Sequence, residues 1–152
     1  MSKNVILLEK YGDVRRAVGR MAVQFLREPG FGPKQLVALR LIGKRKQCTM
    51  AEIAEGINCD KATVTRMVSS LVDAGWLQRK HGVSDRRQIF ITLSAKGSRN
   101  ISKIEKTYGQ IADHLASFLE PKEQKELLRL LSKIENGLSA ESSKITKTNV
   151  ES

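Results

Sequence analysis

The chain has 152 residues, 40% of them hydrophobic but only 5% aromatic, which suits one domain with a helical core of Leu, Ile and Val. No apolar run approaches the ~18 residues that span a bilayer, and Glu9 and Lys10 break the short apolar stretch near the start, so a soluble, cytoplasmic protein without a membrane partner is expected. The formal net charge of +11 is concentrated, with 13 basic and 5 acidic residues in 33–99 against 6 and 3 before them and 8 and 8 after them, which points to nucleic acid as the partner.

Tyr11, Val14, Val18, Met21, Ala22 and Phe25 recur at helical steps, so residues 4–27 read as an amphipathic helix ended by Pro29, Gly30, Gly32 and Pro33. Pro33 suits the first position of a second helix, with Leu36, Leu39 and Ile42 on one face and Gly43 as its stop. The basic run Lys44, Arg45 and Lys46 follows, and either approaches phosphate at the edge of a site or forms a solvated turn. Thr49 and Glu52 then make a capping-box pattern that opens a third helix, whose buried face is Ile53, Ala54 and Ile57. Asn58 and Cys59 form a tight connection, and Asp60 caps a fourth helix running to Gly75. So brief a turn fits a helix-turn-helix better than an antiparallel pair.

A 100° step per residue puts Val64, Met67, Val68 and Leu71 on one side of the fourth helix and Ala62, Thr65, Arg66, Ser69 and Asp73 on the other. Two strands follow, 76–81 and 88–93, the second alternating Ile89, Ile91 and Leu93 against Phe90 and Thr92. The segment GVSDRR between them is too polar for a core and projects as a basic hairpin tip. Ser94 caps a fifth helix with an unbroken apolar seam of Ile101, Ile104, Tyr108, Ile111, Leu115 and Phe118. Pro121 opens a sixth helix bearing Leu127, Leu128, Leu131 and Ile134, with Asn136 and Gly137 as its stop and 139–152 as a flexible tail. The expected fold is mainly α with a small β wing: one domain over 1–138, with a winged helix-turn-helix at 33–93. The flanking helices, 4–27 and 95–138, bury their apolar faces against a second copy of the chain.

The run MAEIAEGINCDKATVTRMVSSLVDAGWLQRK, followed by SDRRQIFITLSAKG, resembles the MarR family of bacterial regulators, across roughly residues 5–138 and most densely from Thr49 to Gly97. The resemblance implies a homodimer on a palindromic double-stranded operator. It also implies, in the commoner case, a repressor released by a small-molecule effector, often a phenolic or lipophilic anion held between the dimer helices and the winged domain. It further implies that Arg87 is the arginine that enters a narrow minor groove and that Asp85 is its companion, a carboxylate that can hold the guanidinium in one orientation.

Residues near the start of a recognition helix reach base edges in the major groove, and Lys61, Ala62, Thr63, Thr65 and Arg66 occupy that place. Arg66 is assigned to guanine O6/N7 or a flanking phosphate, Thr63 and Thr65 to bases or phosphates, and Lys61 to the backbone. Asp60 is read as a cap and not as a base contact. Arg86 meets phosphate, and Arg79, Lys80 and His81 either add backbone contacts or cover apolar surface with their stems. The rival readings are three. An enzyme would need a nucleophile with its base, paired carboxylates, a phosphate loop or a metal cluster, and the sequence offers no such pattern, nor a cofactor motif. A winged helix used for protein contacts has no reason to keep Arg66, Arg86 and Arg87. A redox-responsive regulator would act through Cys59, just before a helix N-terminus; the peroxide-sensing cysteine found near the start of the first helix in some family members is missing here. Cys48 and Cys59 lack a CxxC spacing and His81 and His114 lack companions, so no metal is expected.

Overall fold

The computed structural model describes residues 2–27 and 31–148. In chain order these form α1 (Lys3–Leu26), α2 (Pro33–Arg45), β1 (Gln47–Cys48), α3 (Met50–Gly56), α4 (Lys61–Asp73), β2 (Leu77–His81), β3 (Ile89–Leu93), α5 (Ala95–Ala116) and α6 (Pro121–Thr148). The chain divides inside α5 into two compact units, residues 1–111 and 112–152.

In the first unit the core is built where the helical and strand periods put it. Leu36, Leu39 and Ile42 of α2, Ile53 of α3, Val64, Met67, Val68 and Leu71 of α4, Ile91 of β3 and Ile104 of α5 are all buried. Only the C-terminal half of α1 joins them, through Ala22 with Val18 and Met21 packed beside it. Val5, Leu7, Leu8, Tyr11 and Val14 stay exposed. Pro29 and Gly30 lie outside the described residues; α1 closes at Arg27, whose left-handed φ of 50° lets its N–H reach the Val23 carbonyl. Gly32 precedes α2, and the Gln35 side chain accepts its N–H at 3.0 Å. Phe31, between the two helices, is buried with its ring 5.0 Å from that of Trp76.

Gly43 does not stop α2, which runs on to Arg45. A glycine costs a helix about 1 kcal/mol relative to alanine, less than the burial of Leu36, Leu39 and Ile42 returns. Its missing side chain has another use. A Cβ there would lie 3.1 Å from the Ile101 side chain of α5, so the glycine lets those two helices approach. Beside this crossing the Arg40 guanidinium donates to both Glu105 carboxylate oxygens, at 3.1 and 3.0 Å, and lies 3.5 Å over the Tyr108 ring.

The sheet has three antiparallel strands in the order β1-β3-β2. The two-residue β1 has no period for the sequence to show; it exists because β3 offers an edge, pairing Gln47 with Thr92 and Cys48 with Ile91. Lys46 turns the chain into it at φ 71°. The expected alternation of β3 holds only in part. Ile91 is buried, but Ile89 at the wing end is 42% exposed and Thr92 is buried. As the central strand, β3 is paired along both edges, and directly opposed partners share a face, so Thr92 lies between Gln47 and Gln78. Its hydroxyl is the one buried side-chain polar atom without a hydrogen-bond partner among the described residues.

In the second unit α5 ends at Ala116, so Phe118 falls in the connection and the apolar seam is interrupted there. The Gln124 amide donates to the Ala116 and Leu119 carbonyls, both at 3.0 Å, and so satisfies acceptors that the helix end leaves open. Neither Asn136 nor Gly137 stops α6, which continues to Thr148 through the first ten residues of the segment expected to be a flexible tail. Leu138, Ala140 and Glu141 favour helix strongly enough to offset one glycine. Leu127, Leu128, Leu131, Ile134 and Leu138 are exposed along it.

Candidate nucleic-acid interface

The helix-turn-helix of α3 and α4 is set by three local devices. Thr49 and Glu52 close the capping box at the start of α3, the Thr49 N–H donating to Glu52 at 2.7 Å and the Glu52 N–H to the Thr49 hydroxyl at 3.2 Å. Asn58 takes a left-handed φ of 51°, which asparagine tolerates better than most residues. Asp60 then caps α4, accepting the Thr63 N–H at 2.8 Å and the Thr63 hydroxyl at 2.6 Å.

These contacts decide what the first turns of α4 present. Lys61, Ala62, Thr65 and Arg66 are exposed and Thr63 is half-buried. Thr63 spends its hydroxyl proton on Asp60 and receives the Arg66 guanidinium at 3.4 Å, so it steadies the arginine from below. The Thr65 hydroxyl donates to the Lys61 carbonyl at 2.8 Å, leaving its oxygen lone pairs outward as acceptors. The Thr63 hydroxyl, then the Thr63 backbone N–H, and last the Arg66 charge hold the Asp60 carboxyl below the usual carboxylate range. Asp60 is thus a cap, as its position in the sequence implies.

At the hairpin, β2 and β3 pair out to His81 opposite Ile89. Asp85, Arg86 and Arg87 are exposed at the tip, and Lys80 is exposed on β2. One expected contact differs. The Asp85 carboxylate accepts the backbone N–H of Arg87 at 2.9 Å, not its guanidinium. At two residues' separation the amide is the nearer donor, and the bond fixes the loop. Arg79 is tied as well, donating to the Ser69 hydroxyl of α4 at 3.0 Å, which links the hairpin to the helix. The helical period puts Ser69 on the outer face of α4, but no local pattern announces its bond to Arg79. Lys44 and Arg45 end α2 and Lys46 follows as its cap, all three exposed.

Within the described residues no group of three or more His, Cys, Asp or Glu side chains can hold a metal, and no helix is long and apolar enough to cross a membrane. Cys48 is fully buried, and that burial pushes its thiol up; Cys59 is half-buried.

The family model for the MarR family matches residues 32–89, the segment from the start of α2 into β3. The HTH-type transcriptional regulator BilQ of Clostridium symbiosum (strain WAL-14163) is 28% identical over 109 residues, 72% of this chain and 76% of that protein. Among solved structures, a cysteine-to-serine mutant of MarR from E. coli complexed with operator DNA has the same fold, with a TM-score of 0.78 at 23% identity over 87% of this chain and 95% of that one. BpsR of Bordetella bronchiseptica, a protein whose DNA binding is regulated by 6-hydroxynicotinic acid, aligns with a TM-score of 0.73 at 22% identity, covering 88% and 93% of the two chains.

Proposed function

We propose that the chain, whose residues 32–89 match the MarR family model, is a regulator of that family that controls transcription by binding a palindromic operator in double-stranded DNA as a homodimer. It is a regulator and not an enzyme. The observation that carries this reading is the outer face of α4, where exposed Lys61, Ala62, Thr65 and Arg66 stand on a helix whose other face is wholly buried. A helix so mounted fits the major groove, with Arg66 steadied by Thr63 for a guanine edge or a phosphate. Arg87 at the hairpin tip fits the minor groove beside it and Arg86 a phosphate, with Arg79, Lys80 and the Lys44–Lys46 run adding charge along the backbone. The exposed leucines of α1 and of α6 support assembly with a second copy. By analogy with BpsR, whose DNA binding is regulated by a small organic acid, an effector of that kind controls operator binding here, and repression relieved by the effector is the action proposed.

Selection of genomic fragments in vitro yields the operator, expected to contain a dyad with half-sites about 34 Å apart or one helical turn. On that fragment, Arg66→Ala and Arg87→Ala each weaken binding by about 1–3 kcal/mol in fluorescence anisotropy at matched salt, with the protein still dimeric. Undiminished affinity in both variants contradicts these assignments.

A further inference from the structure

The hairpin tip is held by more than its strand ladder. Beyond the His81–Ile89 pair, the Gly82 N–H donates to the Gln88 carbonyl at 2.8 Å and the Gln88 N–H to the Asp85 carbonyl at 3.1 Å. The turn is tight here, since a Cβ on Gly82 would stand 2.5 Å from the Asp85 carbonyl oxygen. Between these points lies the peptide unit that joins Arg86 to Arg87. Its N–H end is taken by the Asp85 carboxylate at 2.9 Å, and its carbonyl end meets Nδ1 of His81, also at 2.9 Å. A peptide unit is planar and stiff, so holding both its ends fixes the two Cα atoms from which the Arg86 and Arg87 side chains leave the backbone.

We infer that His81 is a positioning residue of the wing, which clamps the Arg86–Arg87 peptide through Nδ1 and so aims both arginines at the duplex. The inference rests on the reading of the wing as a DNA contact. A carbonyl oxygen only accepts, so the ring must carry its proton on Nδ1. The opposite tautomer would set two lone pairs against each other. The imidazolium form keeps the same donor. A histidine that merely lent charge to a phosphate would have no need of a bond back to Arg86. The clamp lowers the freedom that the two arginines would otherwise lose on binding, and the benefit passes through them alone.

The test compares two replacements on the selected operator fragment. His81→Leu keeps bulk on the same branch but has no donor, whereas His81→Asn keeps an N–H bonded to Cγ where Nδ1 stood. His81→Leu is expected to lose about tenfold in affinity, His81→Asn to recover most of that loss, and His81→Leu to cost little more once Arg86 and Arg87 are both alanine, as coupled residues do. Nitrogen-15 spectra of the ring in the unliganded protein should show the Nδ1–H form, with the Arg87 amide slow to exchange. Full affinity in His81→Leu, an equal loss in His81→Asn, or an Nε2–H ring overturns the clamp. If the wild-type protein has no attraction to duplex, the reading of the wing falls instead, and the ring tautomer and the Arg87 amide still decide whether the clamp exists.

Discussion

Asp60 takes both its hydrogen bonds from one residue, Thr63, and its depressed carboxyl makes that cap durable toward acid. The sign follows from linkage: a group whose folded value is lowered contributes stability that is whole above its unfolded value and is lost as the pH falls through the folded one. Carbon-detected NMR titration should therefore place the Asp60 midpoint below the ordinary value of about 3.9. Thr63→Val, which removes the hydroxyl but keeps the amide, should move it part of the way back; an unmoved midpoint would show that the hydroxyl is not the main cause. Caps were legible in the sequence because each needs only residues three apart, as Thr49 with Glu52 and Asp60 with Thr63 show. The partner of Asp85 was not. Its carboxylate had two donors of Arg87 within reach, and only the path of the loop selects the amide. Arg79 with Ser69 and His81 with Arg86 were equally hidden, since a strand pairing or a loop closure brings each pair together.

For elements, the periods that mark α4 placed all four of its buried residues correctly, because its apolar face and its burial follow the same 100° step. Helix stops are less legible than helix faces. Gly43 and Gly137 both sit inside helices, one at a helix crossing and one with nothing within 4 Å of its missing Cβ, and composition alone does not separate a glycine that ends a helix from one that eases an approach. Gly97 is the stricter case. It lies in the first turn of α5, three residues after Ser94, whose hydroxyl accepts the Gly97 N–H at 3.0 Å and donates to the Gly75 carbonyl. A Cβ on Gly97 would stand 2.2 Å from the Trp76 carbonyl oxygen. Backbone cannot swing aside as a flexible side chain can, so Gly97→Ala should lower stability by about 1–3 kcal/mol in urea unfolding. No change would mean that the joint between β3 and α5 yields freely.

For the whole molecule, the uneven charge and the apolar faces of the end helices carried most of what could be foreseen. The sequence implies that the helices over 4–27 and 95–138 have more apolar surface than one copy covers, and Leu7, Leu8 and Leu128 are exposed in the single chain. It did not show where the seam breaks at Phe118, because a regular spacing reads straight through a turn. Burying a leucine contributes roughly 1.5–3 kcal/mol, and setting a carboxylate in its place also desolvates a charge. The paired variant Leu8→Glu, Leu128→Glu should thus sediment as a single chain where the parent sediments as two, and bind a dyad far more weakly. If it still sediments as two, these faces do not hold the copies together.

Trp76 is the only tryptophan in the chain, and it stands at the foot of β2, 3% exposed, with Phe31 against its ring and the Lys96 ammonium 5.2 Å above it. The molecule thereby carries a built-in optical probe. Excited selectively, this indole emits at short wavelength while that corner stays dry and shifts to the red when water enters, so events at the root of the wing can be followed by light without any label.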